Sequence, residues 1–261
     1  MNVLITGAAS GIGKAVSEYL ILKGINVFAL DIVKIDNENI KSFICDVTDI
    51  NSLNSVYNEL KNDNIELDAI INIAGMFIID SFIEVDEKDL KRIFDVNLFG
   101  TINVNKIFLD LLTKQGRILI TTSEVAPLDP LPFNGIYNVT KTSLDAYSQA
   151  LRQELNLLGY KVITIRPGAF DTNLSQGSLL KTKELMNKTK LYHKQSKKFY
   201  ILVKKFMGTP KDVIKISKVY YKALNTKNPK LIYKKNTNKL LKLLDILPKR
   251  LQCFIIKILL K

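Results

Sequence analysis

Short apolar, β-branched runs alternate with longer amphipathic stretches over the first 175 residues. The runs predict buried strands, at VLIT (3–6), INVFALD (25–31), KSFICDV (41–47), LDAIINIAG (67–75), GRILITTS (116–123) and YKVITIRPG (160–168). The stretches between them predict helices, over about 12–23, 48–61, 87–114 and 135–159. This alternation is typical of a doubly wound α/β fold, in which helices cover both faces of a parallel sheet and ligands bind beyond the carboxyl ends of the strands.

From residue 176 the pattern changes to Lys-rich amphipathic helix, with one short strand candidate, LIY (231–233). We therefore expect one Rossmann-like domain over residues 1–235 and a basic, amphipathic C-terminal extension over residues 236–261. Within 238–261, basic residues recur on one side of a helical wheel, while Leu, Ile and Phe lie mostly opposite. Pro248 is expected to kink or split this helix.

The composition indicates a globular intracellular protein. The 261 residues, 47% of them hydrophobic, suffice for one large domain with a sizeable core. Cys45 and Cys253 have neither disulfide nor metal-ligand spacing, which indicates a reducing compartment and no metal site. The N-terminus reads as a strand and a turn rather than a secretory signal, and no uncharged apolar stretch is long enough to span a membrane. We expect a cytoplasmic protein.

The net charge of +13 is unevenly distributed along the chain. Residues 1–175 carry a net charge of −7, and residues 176–261 carry one of +20. Such asymmetry suggests a polyanionic partner, although a Lys-rich surface that is simply solvated is the alternative. Nucleic acid is not expected, because no stacking platform interrupts the basic residues and no recognition fold is evident.

The segment 238–261 has two interpretations. A basic amphipathic helix with a large apolar face is typical of proteins that bind an anionic membrane surface. The other interpretation is that this apolar face packs on the body of the protein or on a second subunit. The sequence alone leaves both open.

The stretch TGAASGIG (6–13) follows the first predicted strand and opens the first helix. Gly7, Gly11 and Gly13 allow a tight turn and a close approach of a ligand, and the helix N-terminus favours a pyrophosphate. The spacing is G-x-x-x-G-x-G, which differs from the general dinucleotide fingerprint. Its place between a strand and a helix nevertheless predicts a dinucleotide site.

Asp31 ends the second predicted strand. An acid at this position binds the ribose 2′-hydroxyl of NAD and repels the 2′-phosphate of NADP. Lys14, which follows the last glycine of the turn, would instead favour a phosphate. We give Asp31 more weight, so the sequence predicts NAD(H) in preference to NADP(H).

YNVTK (137–141) places Tyr137 and Lys141 on one face of a helix. A nearby cation favours the phenolate, so the pair can act as an acid/base device. The same spacing recurs in this Lys-rich chain, at 19–23, 57–61 and 200–204. Only the pair at 137–141 has a strand-end Ser, Ser123, shortly before it and a strand followed by Pro-Gly after it.

In this order the motifs resemble those of the short-chain dehydrogenase/reductase family, and among its members the hydroxysteroid and retinol dehydrogenases, over about residues 1–175. TGAASGIG is similar to the family's coenzyme turn, CDV (45–47) to its Asp-Val pair at the adenine, NIAG (72–75) to its N-N-A-G segment, and RPG (166–168) with Thr172 to the segment at the nicotinamide carboxamide. The resemblance therefore implies a coenzyme site formed by Gly7, Ser10, Gly11, Ile12, Gly13, Asp31, Asp46, Val47, Asn72, Ala74, Gly75, Tyr137, Lys141, Pro167, Gly168 and Thr172.

The resemblance also implies a catalytic set, which consists of Asn97, Ser123, Tyr137 and Lys141. Tyr137 would be the general acid in reduction and the general base in oxidation. Lys141 would lower the pKa of Tyr137 and bind the nicotinamide ribose. Ser123 would hydrogen-bond the substrate oxygen, and Asn97, within VNLFG (96–100), would hold a proton-relay water.

Some positions depart from the family pattern. Ile73 stands where a second Asn is common, and we expect this change to cause little loss of function. Ala169 and Phe170 replace a small and a β-branched residue, which puts the shape of the substrate pocket in doubt. Glu124, directly after Ser123, is expected to be a rim charge, with a bias of the pocket toward a hydroxyl or a cation as the alternative.

Residues 176–210 correspond in position to the family's variable substrate lid. Their apolar residues, Met207 among them, favour an apolar alcohol or ketone such as a steroid, a retinoid or a lipid. The sequence thus predicts an NAD(P)-dependent oxidoreductase acting on a secondary alcohol or ketone. The alternative is a catalytically silent nucleotide-binding regulator or scaffold on the same fold. The resemblance further implies a homodimer or homotetramer, formed through the helices near 87–114 and 136–158.

Overall fold

The computed structural model describes residues 1–206 and 210–261, so Met207 lies outside the described residues. Its seven strands are β1 (Asn2–Thr6), β2 (Asn26–Asp31), β3 (Lys41–Ile44), β4 (Leu67–Asn72), β5 (Leu112–Thr121), β6 (Lys161–Pro167) and β7 (Ile232–Lys235). They form one sheet in the order β3-β2-β1-β4-β5-β6-β7, and every neighbouring pair is parallel. The chain reverses its direction of winding between β1 and β4, which is where ligands bind in folds of this kind.

The helices of the described residues are α1 (Gly11–Ile21), α2 (Ile50–Asn62), α3 (Glu87–Phe94), α4 (Thr101–Phe108), α5 (Gly135–Asn156), α6 (Asn173–Lys188), α7 (His193–Phe206), α8 (Ile214–Asn225), α9 (Lys239–Ile246) and α10 (Lys249–Leu260). Among them, α1 and α8 lie on one face of this sheet and α2, α4 and α5 on the other. Side chains on alternate strand residues point to opposite faces. Val3 and Ile5 pack with α1 and α8, whereas Leu4 packs with α2, α4 and α5. Because both faces are buried, the central strands read as continuous apolar runs. The doubly wound, Rossmann-like fold is confirmed.

The single long helix predicted over 87–114 is wrong in detail. Between α3 and α4 the backbone forms a π-helical segment (Asp95–Gly100), and after α4 a short 3₁₀ turn (Leu109–Leu111) leads directly into β5. Leu112 pairs with Leu67 at the start of β4, ahead of an irregularity in the strand register. Because of this tertiary pairing, the segment LTKQG (112–116) forms the first half of β5, although its Gln and Gly favour a turn.

The C-terminal extension folds as two helices instead of one. Pro248 has φ −54° and caps the start of α10, while α9 ends at Ile246, so the predicted split is confirmed. Leu260 of α10 belongs to an apolar cluster with Phe133, Leu185 and Phe199. Phe133 lies just before α5, Leu185 lies in α6 and Phe199 lies in α7. Among the described residues, no helix has the length and apolar character needed to cross a membrane.

Candidate active site

The turn between β1 and α1 has no room for a side chain at Gly7 or Gly13. Gly7 has φ +69°, and a Cβ on it would lie 2.7 Å from the Cα of Ala74. A Cβ on Gly13 would lie 1.9 Å from the carbonyl oxygen of Gly7. The bare backbone at the N-terminus of α1 therefore borders the cavity described below, and this is the arrangement that receives a pyrophosphate.

Asp31 lies beside this turn at the carboxyl end of β2. Its carboxylate accepts the backbone N–H of Ala9 at 2.8 Å and that of Val33 at 3.3 Å, so the side chain is held at the cavity edge. Lys14, the competing candidate, lies 3.9 Å from Glu18 on the exposed side of α1 and does not line the cavity. Of the two candidates, Asp31 therefore borders the cavity and Lys14 does not.

Asp46 has a partner that the sequence did not reveal. Its carboxylate accepts hydrogen bonds from the backbone N–H and hydroxyl of Thr48, at 2.9 and 2.8 Å, and from Arg92 at 2.8 Å. Burial alone would raise the pKa of Asp46, but the hydrogen bonds from Arg92 and Thr48 outweigh it and lower that pKa. Arg92 also lines the cavity. No sequence signal identified Arg92, because only the fold brings α3 next to residue 46.

Asn97 occupies the π-helical segment, a distortion that recurs at functional sites. It is fully buried: its amide oxygen accepts the N–H of Met76 at 2.7 Å, and its amide nitrogen donates to Met76 O and Thr140 Oγ1, each at 3.0 Å. A Cβ on Gly75 would lie 3.2 Å from Asn97 Oδ1 and 3.4 Å from Lys141 Nζ. Gly75 therefore separates two polar groups that the sequence predicted to work together.

Ser123, Tyr137 and Lys141 converge at the carboxyl end of β5. The hydroxyl of Ser123 hydrogen-bonds that of Tyr137, and Lys141 Nζ lies 5.8 Å from the Tyr137 ring centre. Lys141 also donates to the carbonyl oxygen of Thr121 at 3.2 Å and is 4% exposed. The ring of Phe77 packs edge-on against Tyr137, with ring centres 4.8 Å apart. All three polar side chains border one space.

The expected lowering of the Tyr137 pKa is not observed. Burial raises the pKa of Tyr137 to about 12, against the hydrogen bond from Ser123, which lowers it. Burial also lowers the pKa of Lys141 to about 8. Because burial disfavours the charged form of each group, the pair favours a neutral Tyr and a weakly held Lys proton.

Two other Tyr–Lys pairs with this spacing lie on the surface. Lys61 donates to the Tyr57 hydroxyl at 2.6 Å, in an exposed contact that also includes Asp110. Lys23 lies 5.6 Å from the Tyr19 ring, near the far end of α1. Neither pair borders the cavity. Position alone thus distinguishes Tyr137–Lys141 from these pairs.

One cavity of about 960 Å³ joins these groups. It extends from Asp31 and Asp46, past the glycine turn, to Ser123, Tyr137 and Lys141. Every residue that the sequence predicted for the coenzyme or catalytic site lines it, except Asn72 and Asn97. Asn72 is instead buried, and its side chain donates to Asn105 Oδ1 at 2.8 Å. These two Asn residues support the site from behind. Phe170 is only 2% exposed and packs in the α1–α8 core, which accommodates its bulk.

Beyond Tyr137 the cavity has an apolar wall. The α7 part of this wall lies in the predicted lid region, whereas the contribution of α9 and α10 was not predicted. The wall consists of Phe199, Leu202, Val203, Leu240, Leu241, Leu244, Ile256, Leu259 and Leu260. The C-terminal extension therefore packs on the body, as one of the two sequence interpretations predicted. Glu124 accepts the backbone N–H of Asn238 just before α9, and burial raises its pKa. Glu124 thus binds the extension and is more than a rim charge.

The fold and site define a dinucleotide-binding α/β protein of the oxidoreductase type. The family model for short chain dehydrogenases matches residues 1–183, and the chain belongs to that family. The described structure resembles a short chain dehydrogenase family protein from Francisella tularensis subsp. tularensis SCHU S4, with a TM-score of 0.75, 24% identity and coverage of 89% of this chain and 96% of that one.

Two curated relatives are similar in sequence. Estradiol 17-beta-dehydrogenase 2 of Rattus norvegicus is 31% identical over 256 residues, which cover 88% of this chain and 67% of the relative. The NADPH-dependent 1-acyldihydroxyacetone phosphate reductase of Schizosaccharomyces pombe is 32% identical over 184 residues, 68% of this chain and 62% of the relative. The matches thus span about two thirds of these relatives' lengths. Together the family and these relatives support an NAD(P)-dependent oxidoreductase that acts on CH–OH groups.

Proposed function

We propose that the protein transfers a hydride between NAD(H) and an apolar secondary alcohol or ketone. The observation that carries this proposal is the position of Ser123, Tyr137 and Lys141 in one cavity, between the glycine turn and the apolar wall. The coenzyme, when bound, supplies the hydride. The residues of this chain would orient it, hold the substrate oxygen and move one proton.

In ketone reduction, Tyr137 would donate its hydroxyl proton to the substrate oxygen as that oxygen gains charge. A pKa of about 12 keeps Tyr137 protonated at neutral pH and therefore ready to donate. Ser123, already hydrogen-bonded to Tyr137, would hold the same oxygen. Lys141 would stabilise the resulting phenolate, and Asn97 would fix the neighbouring loop through Met76.

The coenzyme preference rests on Asp31. We expect the wild-type protein to bind NADH more tightly than NADPH, because the Asp31 carboxylate repels the additional phosphate of NADPH. In Asp31→Asn this preference should shrink by roughly 10- to 100-fold, since the amide keeps the Ala9 hydrogen bond without the charge. Fluorescence titrations of both coenzymes, side by side, measure it. Tighter binding of NADPH by the wild type would contradict the assignment.

The apolar wall leads us to propose an apolar substrate. For a homologous series of 2-alkanones, kcat/KM should rise about fourfold for each added methylene until the wall is filled, because a buried methylene contributes about 0.8 kcal/mol. Leu244→Asn, which keeps the shape of a wall side chain but makes it polar, should flatten this slope. Steady-state kinetics with NADH test this, and a wild-type slope of zero would contradict an apolar substrate.

We also propose that the extension binds an anionic membrane surface with the side that faces away from the body. Support comes from its basic side chains, all of which are exposed: Lys239, Lys242, Lys249, Arg250, Lys257 and Lys261. Of these, Lys249 also pairs with Asp129 on the body. A basic amphipathic surface of this kind suits the boundary between headgroups and acyl chains. A cytoplasmic location and a homodimer or homotetramer stay predictions.

A further inference from the structure

We infer that α9 and α10 form a membrane-facing entrance, through which a substrate dissolved in an anionic bilayer reaches Tyr137. This inference rests on the proposed function for the chemistry at Tyr137. It adds the source of the substrate, the side of the molecule that meets the membrane and the route between them.

The two helices present apolar residues on two sides. Toward the body, Leu241, Leu244, Ile256 and Leu260 line the cavity. Away from it, large apolar side chains are exposed by 42% to 79%, namely Leu243, Ile246, Leu251, Phe254 and Ile258. We call this second set the outer face. A helix that only covers a pocket needs the first set alone, so the outer face requires another partner.

Two residues connect the outer face with the cavity. Leu240 of α9 and Leu259 of α10 both line the cavity, yet they are 54% and 47% exposed. They therefore form an apolar rim where the cavity opens to the surface. A hydrophobic molecule passing this rim would remain in contact with apolar side chains from the outer face to the wall beside Tyr137.

The charge distribution selects an anionic bilayer as the occupant. The extension, residues 236–261, carries six basic side chains and one acidic one, a net charge of +5, whereas residues 1–175 carry −7. An anionic leaflet would therefore attract the extension and repel the body, which orients the cavity opening toward the lipid. A twofold dimer through the outer face would instead bring the same basic residues of two copies together.

The extension is tied to the loop that follows Ser123. Asp129 accepts hydrogen bonds from Lys249 and, at 2.9 Å, from Gln252, and its backbone N–H donates to Asp245 at 2.8 Å. Glu124 binds the backbone just before α9. Docking of the extension would thus hold the loop carrying Ser123 in a fixed position relative to the bilayer.

The absence of Trp from the chain allows a direct test of orientation. Ile246 on the outer face and Leu22 at the end of α1 are each 79% exposed, and α1 runs from the carboxyl edge of the sheet to the opposite edge. Single-Trp variants Ile246→Trp and Leu22→Trp are therefore matched. They would be mixed with brominated phosphatidylcholine vesicles that contain or lack phosphatidylglycerol.

We expect the Ile246→Trp fluorescence to be quenched on vesicles with phosphatidylglycerol, and the Leu22→Trp fluorescence to persist. Absence of quenching in both variants would overturn the docking surface. Quenching of both would overturn the orientation. Coenzyme titration of each variant verifies the fold. The quenching experiment needs no substrate, so it decides whether the outer face docks on the bilayer even if the proposed reaction is wrong.

Reversing basic charges on α10 tests the proposed route from the bilayer to Tyr137. Arg250→Glu/Lys257→Glu on α10 should weaken binding to anionic vesicles by at least roughly tenfold. It should lower turnover of vesicle-dissolved 2-tridecanone to a similar extent and leave turnover of water-soluble 2-pentanone unchanged. The control variant Lys215→Glu/Lys218→Glu makes the same charge change at exposed lysines of α8. It should change neither the vesicle binding nor the turnover of either ketone.

Equal loss in both double variants, or full turnover of the vesicle-dissolved ketone after the α10 change, would overturn the entrance. If the wild type reduces no ketone at all while its coenzyme binds, the proposed function fails instead. The quenching result then stands on its own and still decides whether the outer face meets the membrane.

Discussion

Replacing Tyr137 with Phe is expected to lower kcat for ketone reduction by roughly 10²- to 10⁴-fold, the usual contribution of a positioned proton donor. The variant removes the hydroxyl that hydrogen-bonds Ser123 but keeps the ring that packs against Phe77 at 4.8 Å. The apolar cavity surface around the ring is therefore preserved. Steady-state rates with NADH and an apolar ketone measure the loss.

The control for Tyr137→Phe is coenzyme binding, which should remain close to that of the wild type. Tyr57→Phe is a matched variant, because its hydroxyl also contacts a Lys at the same spacing but on the exposed surface. It should retain full turnover. Retained activity in Tyr137→Phe, or an equal loss in Tyr57→Phe, would show that the proton donor has been assigned to the wrong residue.

Replacing Lys141 with Met should lower turnover by roughly 10²- to 10³-fold, because it removes the cation that stabilises the Tyr137 phenolate. The same change is expected to raise the free energy of unfolding at pH 7. Burial lowers the pKa of Lys141 from 10.5 to about 8, so holding the folded ammonium costs up to about 3 kcal/mol. Loss of the hydrogen bond to Thr121 offsets part of this, which leaves a net gain of about 1 kcal/mol.

The pH dependence separates this effect from a general change in packing. Because the pKa of Lys141 is lower in the folded than in the unfolded protein, its cost is fully present below about pH 8 and disappears as the pH rises toward 10.5. The stability advantage of Lys141→Met over the wild type should therefore shrink over that range. Urea unfolding at pH 7 and pH 10 measures it. An advantage that is equal at both pH values would contradict a buried, strained ammonium.

The sheet and the coenzyme turn were predictable because local signals agree there. VLIT and the glycines after it predict a strand, a turn and a helix start, and the structure has all three. The position of Tyr137–Lys141 followed from the order of neighbouring motifs. Local patterns decide these features, since strands buried on both faces must be apolar and the turn needs Gly7 where its backbone touches the segment after β4.

Other features depend on contacts that no local pattern encodes. The π-helical segment around Asn97 is coupled to hydrogen bonds with Met76, 21 residues away in sequence. Arg92 meets Asp46 only because α3 lies beside the end of β3. The direction of the Tyr137 pKa shift was predicted wrongly because its cause is burial, whereas spacing reveals only the nearby cation.

The extension shows the same limit. A helical wheel separated the basic and apolar residues of 238–261 but could not say which apolar residues are covered. In the structure Leu244 lines the cavity, while Leu243, its neighbour in sequence, is 62% exposed. Only the position of α9 against the loop after Ser123 distinguishes them. Packing on the body and binding to a membrane are therefore compatible uses of one segment.

The central claim is tested most directly by following the hydride itself. The purified protein would be incubated with NADH deuterated at both C4 positions and a panel of apolar ketones, and the products analysed by mass spectrometry. We predict one deuterium on the carbinol carbon of at least one product, formed roughly 10²- to 10⁴-fold more slowly by Tyr137→Phe under the same conditions. Binding of the coenzyme without deuterium transfer to any ketone would contradict the account and favour a silent nucleotide-binding protein.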